Sequence, residues 1–279
     1  MSALYPESGK AYTVGITGAP GSGKSTLTDK LVGLIRAQGD EVGVLAVDPS
    51  SPFSGGAILG DRVRMQEHAT DDGVFIRSMA SRGHLGGLAR ATPRAVRILD
   101  AAGFAWIVIE TVGVGQVEVE IADAADTTVV VVNPGWGDAV QAAKAGLLEI
   151  ADCFVVNKAD RPGADETRRD LEGMLELAGE PAWRPPVLAT VATEGHGVDE
   201  LWAQIRAHRA FLEDDGELAA RREQRLRDEV RAVVEDQLRI DAAARCTGER
   251  FETLVAKVLA RELTPDAAAV ELLARPSAG

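Results

Sequence analysis

The stretch GAPGSGKS, residues 18–25, constrains this chain more than any other feature of its sequence. Its spacing, Gly18 followed by four residues and then Gly23-Lys24-Ser25, fits the P-loop pattern. It lies between a strand-like apolar run, AYTVGIT, and a helix-like run, STLTDKLVGLIRAQG. In such a loop the glycines let backbone N–H groups converge on phosphate oxygens, and the helix N-terminus adds partial positive charge. The stretch therefore predicts a nucleotide phosphate site.

Individual residues of the loop have predicted roles at the phosphates. Lys24 is expected to reach the β- and γ-phosphates and is a catalytic candidate, and the Ser25 hydroxyl is expected to bind Mg²⁺. The predicted phosphate contacts are Gly18, Gly21, Ser22, Gly23, Lys24, Ser25 and Thr26. A Gly-rich turn without a ligand is the alternative, and the strand–loop–helix context disfavours it.

Short apolar runs alternate with helical stretches from Tyr12 to about Arg209, which predicts an α/β fold. Continuous apolar runs of this kind are typical of strands buried on both faces of a parallel sheet. We expect residues 1–212 to form a P-loop NTPase domain, a doubly wound, mainly parallel sheet with helices on both faces. Strand-like runs then stop, so residues 213–279 are predicted to form a helical C-terminal extension.

The first helix of that extension has a narrow apolar stripe on an otherwise charged surface. The stripe residues recur at helical spacing and are Leu226, Val230, Val233, Val234 and Leu238. A helix from a second subunit would cover such a stripe and form a homodimer. From sequence, a helix folded back on the α/β core is about equally consistent with the pattern.

Composition and charge argue against several function classes. The formal net charge of −13 disfavours nucleic-acid binding, because phosphate neutralisation needs a basic face. Cys153 and Cys246 lie far apart, so neither a zinc site nor a disulfide framework is indicated. The sequence shows no leader pattern and no apolar run long enough for a membrane span, so we expect a cytoplasmic protein.

The run FVVNKAD predicts which base is bound. Asn157, Lys158 and Asp160 match the N/T-K-x-D pattern of guanine-specific NTPases, at the end of a predicted strand. Asp160 can accept hydrogen bonds from the ring N1–H and the exocyclic amino group of guanine, donors that adenine lacks, so ATP would leave the carboxylate unpaired. Taken alone, NKAD is also consistent with a helix cap or a surface turn. Ala192 is expected to offer its backbone N–H to guanine O6.

Acidic residues that end strand-like runs or open loops are candidates for the metal side of the site: Asp48, Asp61 and Glu110. Mg²⁺ bridging two phosphates needs only one or two carboxylates, and Asp61 suits a helix N-cap equally well. In ETVGVGQ, Glu110 is also a catalytic candidate, and Gly113 is expected to donate its amide to a γ-phosphate. Gln116 is a candidate for positioning the attacking water.

With GAPGSGKS, VDPSS, GDRVRM, RGHLGGL, ETVGVGQ and NKAD in this order, the chain resembles the MeaB/ArgK family. Its members are GTPases associated with methylmalonyl-CoA mutase and related adenosylcobalamin-dependent acyl-CoA mutases. The resemblance runs from about Thr13 to Leu212, and the run PDAAAVELL looks like the family's C-terminal dimerisation region. It implies a homodimeric GTPase that acts on GTP with Mg²⁺, hydrolyses it slowly, and is stimulated by the mutase. It also implies a chaperone that controls adenosylcobalamin loading and removal of damaged cofactor.

The resemblance assigns further residues. It places the metal-side acids at Asp48, Asp61 and Glu110. The family's mobile loop, which relays between nucleotide and mutase, falls on NPGWGDAVQAAK, and its matching positions are Asp138, Gln141 and Lys144. Trp136 departs from the smaller residue expected in that loop, and is either an anchor for the partner or a core residue.

Two other functions are weighed against this one. A kinase that transfers phosphoryl to a protein or small-molecule acceptor would need a base and an acceptor pocket, and the sequence offers no extra domain to close over one. A guanine-selecting Asp160 also counts against an ATP-dependent kinase. A GTPase that inserts a metal such as nickel would need Cys or His ligands near the nucleotide loops, whereas the four histidines are scattered.

Overall fold

Seven apolar runs of the sequence form one parallel sheet in the computed structural model of the chain. The strands are β1 (Tyr12–Thr17), β2 (Val42–Pro49), β3 (Val74–Ser81), β4 (Trp106–Thr111), β5 (Thr127–Val132), β6 (Cys153–Asn157) and β7 (Val187–Thr190). Their spatial order is β3-β2-β4-β1-β5-β6-β7, and every neighbouring pair is parallel. The structure describes residues 3–49, 65–68, 70–81, 87–111, 121, 123–135, 148–177, 179 and 181–274.

α-Helices lie between several of the strands and after the last strand. They are α1 (Lys24–Ala37), α2 (Gly87–Ala101), α3 (Ala164–Leu177), α4 (Val198–Asp214), α5 (Glu217–Arg245), α6 (Glu249–Leu259) and α7 (Pro265–Leu273), with short 3₁₀ helices at Tyr5–Glu7 and Gln66–His68. The first four of these helices each follow a strand, and the last three follow one another without a strand between them. The predicted α/β fold with a helical C-terminal region is therefore confirmed.

The sheet is buried because its strands are apolar at successive positions. All residues of β1, β4 and β5 are buried, as expected for central strands covered on both faces. On one face Val14 and Val131 pack with Leu31 of α1 and Ile205 of α4. On the other face separate clusters form, with Leu99 of α2 over β2 and β4 and with Leu171 of α3 over β5 and β6. Helices thus cover both faces, as the doubly wound prediction requires.

A chain of polar contacts lies at the amino ends of the strands. The Tyr12 hydroxyl is 2.7 Å from Thr127 Oγ1, which in turn is 2.8 Å from His208 Nδ1. His208 is 1% exposed, and its Nε2 lies 3.3 Å from Asp152 Oδ1. These contacts join α4 to β1 and β5 at the end of the sheet that is opposite to the P-loop.

Arg222, near the start of α5, makes a second cluster at the same end of the sheet. Its guanidinium donates to Asp126 at 2.6 Å and to the carbonyl oxygens of Gly9 and Ala11 at 2.9 and 2.8 Å. Asp126 is 1% exposed and also accepts from the Thr13 N–H at 3.0 Å. A buried carboxylate is stable only when it is paired in this way, so Arg222 is part of the packing of the α/β unit.

The chain divides into two compact units, Met1–Arg222 and Glu223–Gly279. This division falls inside α5, beyond the predicted boundary after residue 212, and the extent of each functional domain stays a prediction. In the second unit α6 and α7 pack together, with Leu254 and Leu272 buried. Among the described residues, no helix combines the length and the apolarity that a membrane span requires.

The buried His208 predicts a pH dependence of stability. Burial lowers the pKa of this imidazole from its ordinary value of 6.5, and the nearby Asp152 carboxylate opposes the shift only partly. The unfolded chain therefore binds a proton more readily, so the free energy of unfolding should fall as the pH drops through and below 6.5. Urea unfolding at several pH values measures this, and His208→Gln should show a smaller fall. An equal fall in both proteins would contradict the prediction.

Candidate nucleotide site

The P-loop follows β1 directly and leads into α1. Gly18, Gly21 and Gly23 have φ angles of 134°, 75° and 92°, which side chains rarely tolerate. A Cβ on Gly18 would lie 2.0 Å from the carbonyl oxygen of Val131, and one on Gly23 would lie 2.3 Å from Asn157 Nδ2. Glycine is therefore required for close approach to the ends of β5 and β6, as well as for the turn itself.

Lys24 begins α1 and lies in the concave side of the loop. Its side chain is buried, and its ammonium donates to the carbonyl oxygens of Gly18 at 2.6 Å and Ala19 at 2.9 Å. Gly23 is the N-cap of the helix, so the helix N-terminus opens on the same loop. A buried cation and a helix N-terminus at one point form the electrostatic environment that a phosphate group prefers.

The side chains of Ser25 and Glu110, both predicted for the metal side of the site, meet beside this loop. Glu110 lies on β4, level with Ile16 of the neighbouring β1, and is 2% exposed. The Ser25 hydroxyl donates to Glu110 Oε1 at 2.5 Å. A hydroxyl and a carboxylate are hard oxygen donors, which Mg²⁺ prefers, so this pair suits the ion that a P-loop serine binds.

Several other predicted residues are only partly described. Asp48 is the last but one residue of β2, level with Ala80 of β3, and its side chain lies outside the described residues. Also outside them lie Asp61, Gly113, Gln116, Trp136, Asp138, Gln141 and Lys144. Their predicted roles stay predictions.

Asn157 connects the P-loop to the loops that follow β6 and β7. It is 2% exposed, and its Nδ2 donates to the Ser22 carbonyl oxygen at 2.8 Å. Its Oδ1 accepts from the Thr190 hydroxyl at 3.0 Å and from the Ala192 N–H at 3.1 Å. Both ends of this amide are thus used within the protein, and three separate chain segments are held together by one side chain.

The remaining NKAD residues extend from that anchor. Lys158 has a positive φ of 58°, and its ammonium donates to the Gly21 carbonyl oxygen at 2.5 Å. Asp160 follows on the exposed side of the loop, where its carboxylate is accessible to a ligand. The Ala192 N–H already donates to Asn157, so its predicted contact with guanine O6 would require that hydrogen bond to be shared or broken.

The structure adds site residues that sequence reasoning missed. Thr190 lies level with Asn157 on the neighbouring strand, and its hydroxyl helps to orient the asparagine. Thr111, next to Glu110, donates through its hydroxyl to Thr17 Oγ1 at 3.1 Å. The sequence contains a weak signal for both, because each threonine ends an apolar strand on the ligand side. Their partners could not be identified without the strand order.

Comparisons with known proteins show the family of this chain. A family model described as methylmalonyl Co-A mutase-associated GTPase MeaB matches residues 1–247. A relative from Pyrococcus abyssi, described as a putative GTPase, is 53% identical over 97% of this chain and 85% of its own length. The mouse methylmalonic aciduria type A homolog, a mitochondrial protein, is 39% identical over 76% of this chain and 52% of its own length.

A solved structure shows that the likeness extends to three dimensions. The crystal structure of a LAO/AO transport system kinase superposes with a TM-score of 0.73 and 29% sequence identity, covering 97% of this chain and 83% of the other. The family match, the relatives and the P-loop–NKAD geometry agree with one another. The chain is therefore a GTPase and belongs to the family of methylmalonyl Co-A mutase-associated GTPases, MeaB.

Proposed function

We propose that this GTPase is a chaperone of an adenosylcobalamin-dependent acyl-CoA mutase such as methylmalonyl-CoA mutase. In this role GTP binding and hydrolysis control the loading of adenosylcobalamin into the mutase and protect the loaded enzyme. The family description, which names association with that mutase over residues 1–247, is the observation that carries the proposal. The mouse relative, named for methylmalonic aciduria, supports the same metabolic setting.

In the proposed site, residues 18–26 bind the phosphates and Asp160 selects guanine. Ser25 and Glu110 would hold Mg²⁺, directly or through water, and the ion would neutralise negative charge on the phosphate oxygens. Asp48 and Asp61 would lie on the metal side. Gly113 would donate its amide to the γ-phosphate, and Gln116 would position the attacking water.

Hydrolysis in this proposal acts as a timer. Asn157 connects the P-loop with two other loops: the loop after β6 that carries NKAD, here called the base loop, and the loop after β7, here called the β7 loop. A change at the phosphates therefore reaches the base side through hydrogen bonds. A timer needs such a connection, because the GTP and GDP states must differ elsewhere in the protein. The proposal places the mutase-responsive loop at Trp136, Asp138, Gln141 and Lys144.

The kinase and metal-insertion alternatives have less support. The transport-system kinase title describes the solved relative, and a kinase would need an acceptor site in addition to the nucleotide site. For metal insertion, burial in β6 strongly raises the pKa of the Cys153 thiol. That shift disfavours the thiolate that a transition metal would bind.

Base selection is tested by Asp160→Asn. Replacing the carboxylate removes two charge-assisted hydrogen bonds to guanine, so GTP affinity should fall about 100-fold and xanthosine triphosphate should become the preferred ligand. Competition binding with the two nucleotides measures this change. Asp165→Asn, the same substitution at an exposed position of α3, is the matched control and should bind GTP normally. Retained GTP selectivity in Asp160→Asn would refute the base-site assignment.

The chaperone role is tested with purified apo-mutase, adenosylcobalamin and GTP. We expect the mutase to stimulate GTP hydrolysis and the wild-type chain to make cofactor loading depend on nucleotide, followed by the absorbance of mutase-bound cobalamin. Lys24→Ala should abolish hydrolysis and this dependence, because it removes the cation from the loop. Lys30→Ala, on the same helix but paired with Glu67, should retain both.

Two results would contradict the chaperone proposal. One is a hydrolysis rate that the mutase does not change, together with cofactor loading that does not depend on nucleotide. The other is the transfer of labelled γ-phosphate from GTP or ATP to a protein or small-molecule acceptor, which would favour the kinase alternative.

The proposed homodimer rests on the exposed apolar residues of α5. The stripe residues Leu226, Val230, Val233, Val234 and Leu238 are all exposed in the chain, and Ile240 continues the series. An exposed stripe of this length favours a partner helix from a second copy.

Val230→Asp should convert a dimer into a monomer in light-scattering measurements, because a charge would be buried in the helix pair. Ala232 is two residues from Val230 and so lies about 200° around the helix from it. Ala232→Asp therefore adds the same charge off the stripe and should leave the dimer intact. A wild-type monomer at micromolar concentration, or equal effects of both substitutions, would contradict the dimer.

A further inference from the structure

Asn133 directly follows β5 at the ligand side of the sheet. Val132 of β5 is level with Val156 of β6, so Asn133 is level with Asn157 on the next strand. Alternate residues of β5, including Val131, pack on the face of the sheet that α1 covers. The alternation directs Asn133 to that face, which is also the face of the P-loop.

The two asparagines differ in how their hydrogen bonds are satisfied. Both ends of the Asn157 amide have partners in the P-loop and in the β7 loop. The Oδ1 atom of Asn133 is buried and has no hydrogen-bond partner within the described ranges of the chain. Buried amide oxygens in folded proteins nearly always accept a hydrogen bond, so an exception at a ligand site points to a partner that arrives when the site changes state.

The P-loop backbone, beside the end of β5, is a source of such a donor. It crosses the end of β5 so closely that a Cβ on Gly18 would lie 2.0 Å from the Val131 carbonyl oxygen, two residues before Asn133. The carbonyl oxygens of this loop accept from side-chain donors: Gly18 and Ala19 from Lys24, Gly21 from Lys158, and Ser22 from Asn157. With its carbonyls bound in this way, the loop contributes N–H groups for phosphate oxygens and for an acceptor beside it.

The turn after Asn133 also contacts the base loop. A Cβ on Gly163, just beyond NKAD, would lie 3.8 Å from the Gly135 nitrogen and from Pro134 Cβ, which is ordinary van der Waals contact. Residues 133–135 therefore lie between the loop assigned to the phosphates and the loop assigned to guanine. A side chain in this place is well situated to stabilise one arrangement of the P-loop.

We propose that Asn133 is a positioning residue for the phosphate site. Its Oδ1 accepts a hydrogen bond from the P-loop backbone when that loop closes on the phosphates of a bound guanine nucleotide. The inference rests on the proposed assignment of residues 18–26 to the phosphates. Because the contact is to the loop, and not to the γ-phosphate, GDP and GTP are affected by the same factor.

Asn133→Leu tests this proposal, since leucine has a similar size and no polar atom. Without nucleotide, the melting temperature should be unchanged or higher, because a buried acceptor without a partner has been removed. The affinities for GDP and GTP, measured by calorimetry with Mg²⁺, should each fall about tenfold, the value of one good hydrogen bond. Asn133→Ala removes the oxygen without adding a branched side chain and should lower both affinities similarly.

Asn157→Leu is the comparison variant. It leaves the Ser22 carbonyl oxygen, the Thr190 hydroxyl and the Ala192 N–H without their partner, so it should lower the melting temperature even without nucleotide. Opposite effects of the two Asn→Leu substitutions on the unliganded protein would distinguish an acceptor that is used only on binding from one that is used in the fold.

The inference is overturned if both Asn133 variants melt lower without nucleotide, if they bind GDP and GTP as the wild type does, or if only GTP binding is lost. If the wild type binds GDP and GTP and the Asn133 variants bind them equally well, the role of Asn133 is overturned and the phosphate-site assignment is unaffected. If Lys24→Ala binds GDP and GTP as tightly as the wild type, the phosphate-site assignment falls, and the inference falls with it.

Discussion

The rest of the site depends on the hydrogen bonds of the Asn157 side-chain amide. It is buried, it holds the P-loop through Ser22, and it holds the β7 loop through Thr190 and Ala192. Removing one partner from such a set leaves buried groups unsatisfied, which costs more than the hydrogen bond itself contributes. The loops predicted to bind the phosphates and the base therefore share one support. A GTPase that acts as a timer needs this property, because the signal of a lost phosphate must reach a distant surface.

Much of the fold could be predicted from the sequence, for physical reasons. Buried parallel strands need continuous apolar runs, and the β-branched runs TTVVVV and CFVVN are typical of such strands. The P-loop was predictable because glycines at Gly18 and Gly23 are required by close approach of β5 and β6, and those constraints appear directly as residue type. The meeting of Ser25 and Glu110 followed from both residues being at strand ends or helix starts on one edge of the sheet.

Other parts of the site could not be predicted, because they depend on which strands are neighbours. The Thr190–Asn157 contact and the position of Asn133 beside the P-loop both follow from the order β1-β5-β6-β7, which the sequence does not state. The hydrogen bond from the Ala192 N–H to Asn157 was not predicted either, and the contact of Ala192 with guanine stays a prediction. Short polar side chains at strand ends carry little pattern of their own, so their partners emerge only in three dimensions.

The Arg222 cluster at the other end of the sheet affects when the α/β unit becomes fully stable during synthesis. Arg222 binds Asp126 and the carbonyl oxygens of Gly9 and Ala11. Gly9 and Ala11 lie more than 200 positions earlier in the chain. Until Arg222 leaves the ribosome, the carboxylate of Asp126 lacks its cationic partner in a buried place. The α/β unit therefore cannot reach its full stability during synthesis of the sheet alone. Its full stability is reached only when the beginning of α5 has been synthesised and Arg222 can pair with Asp126.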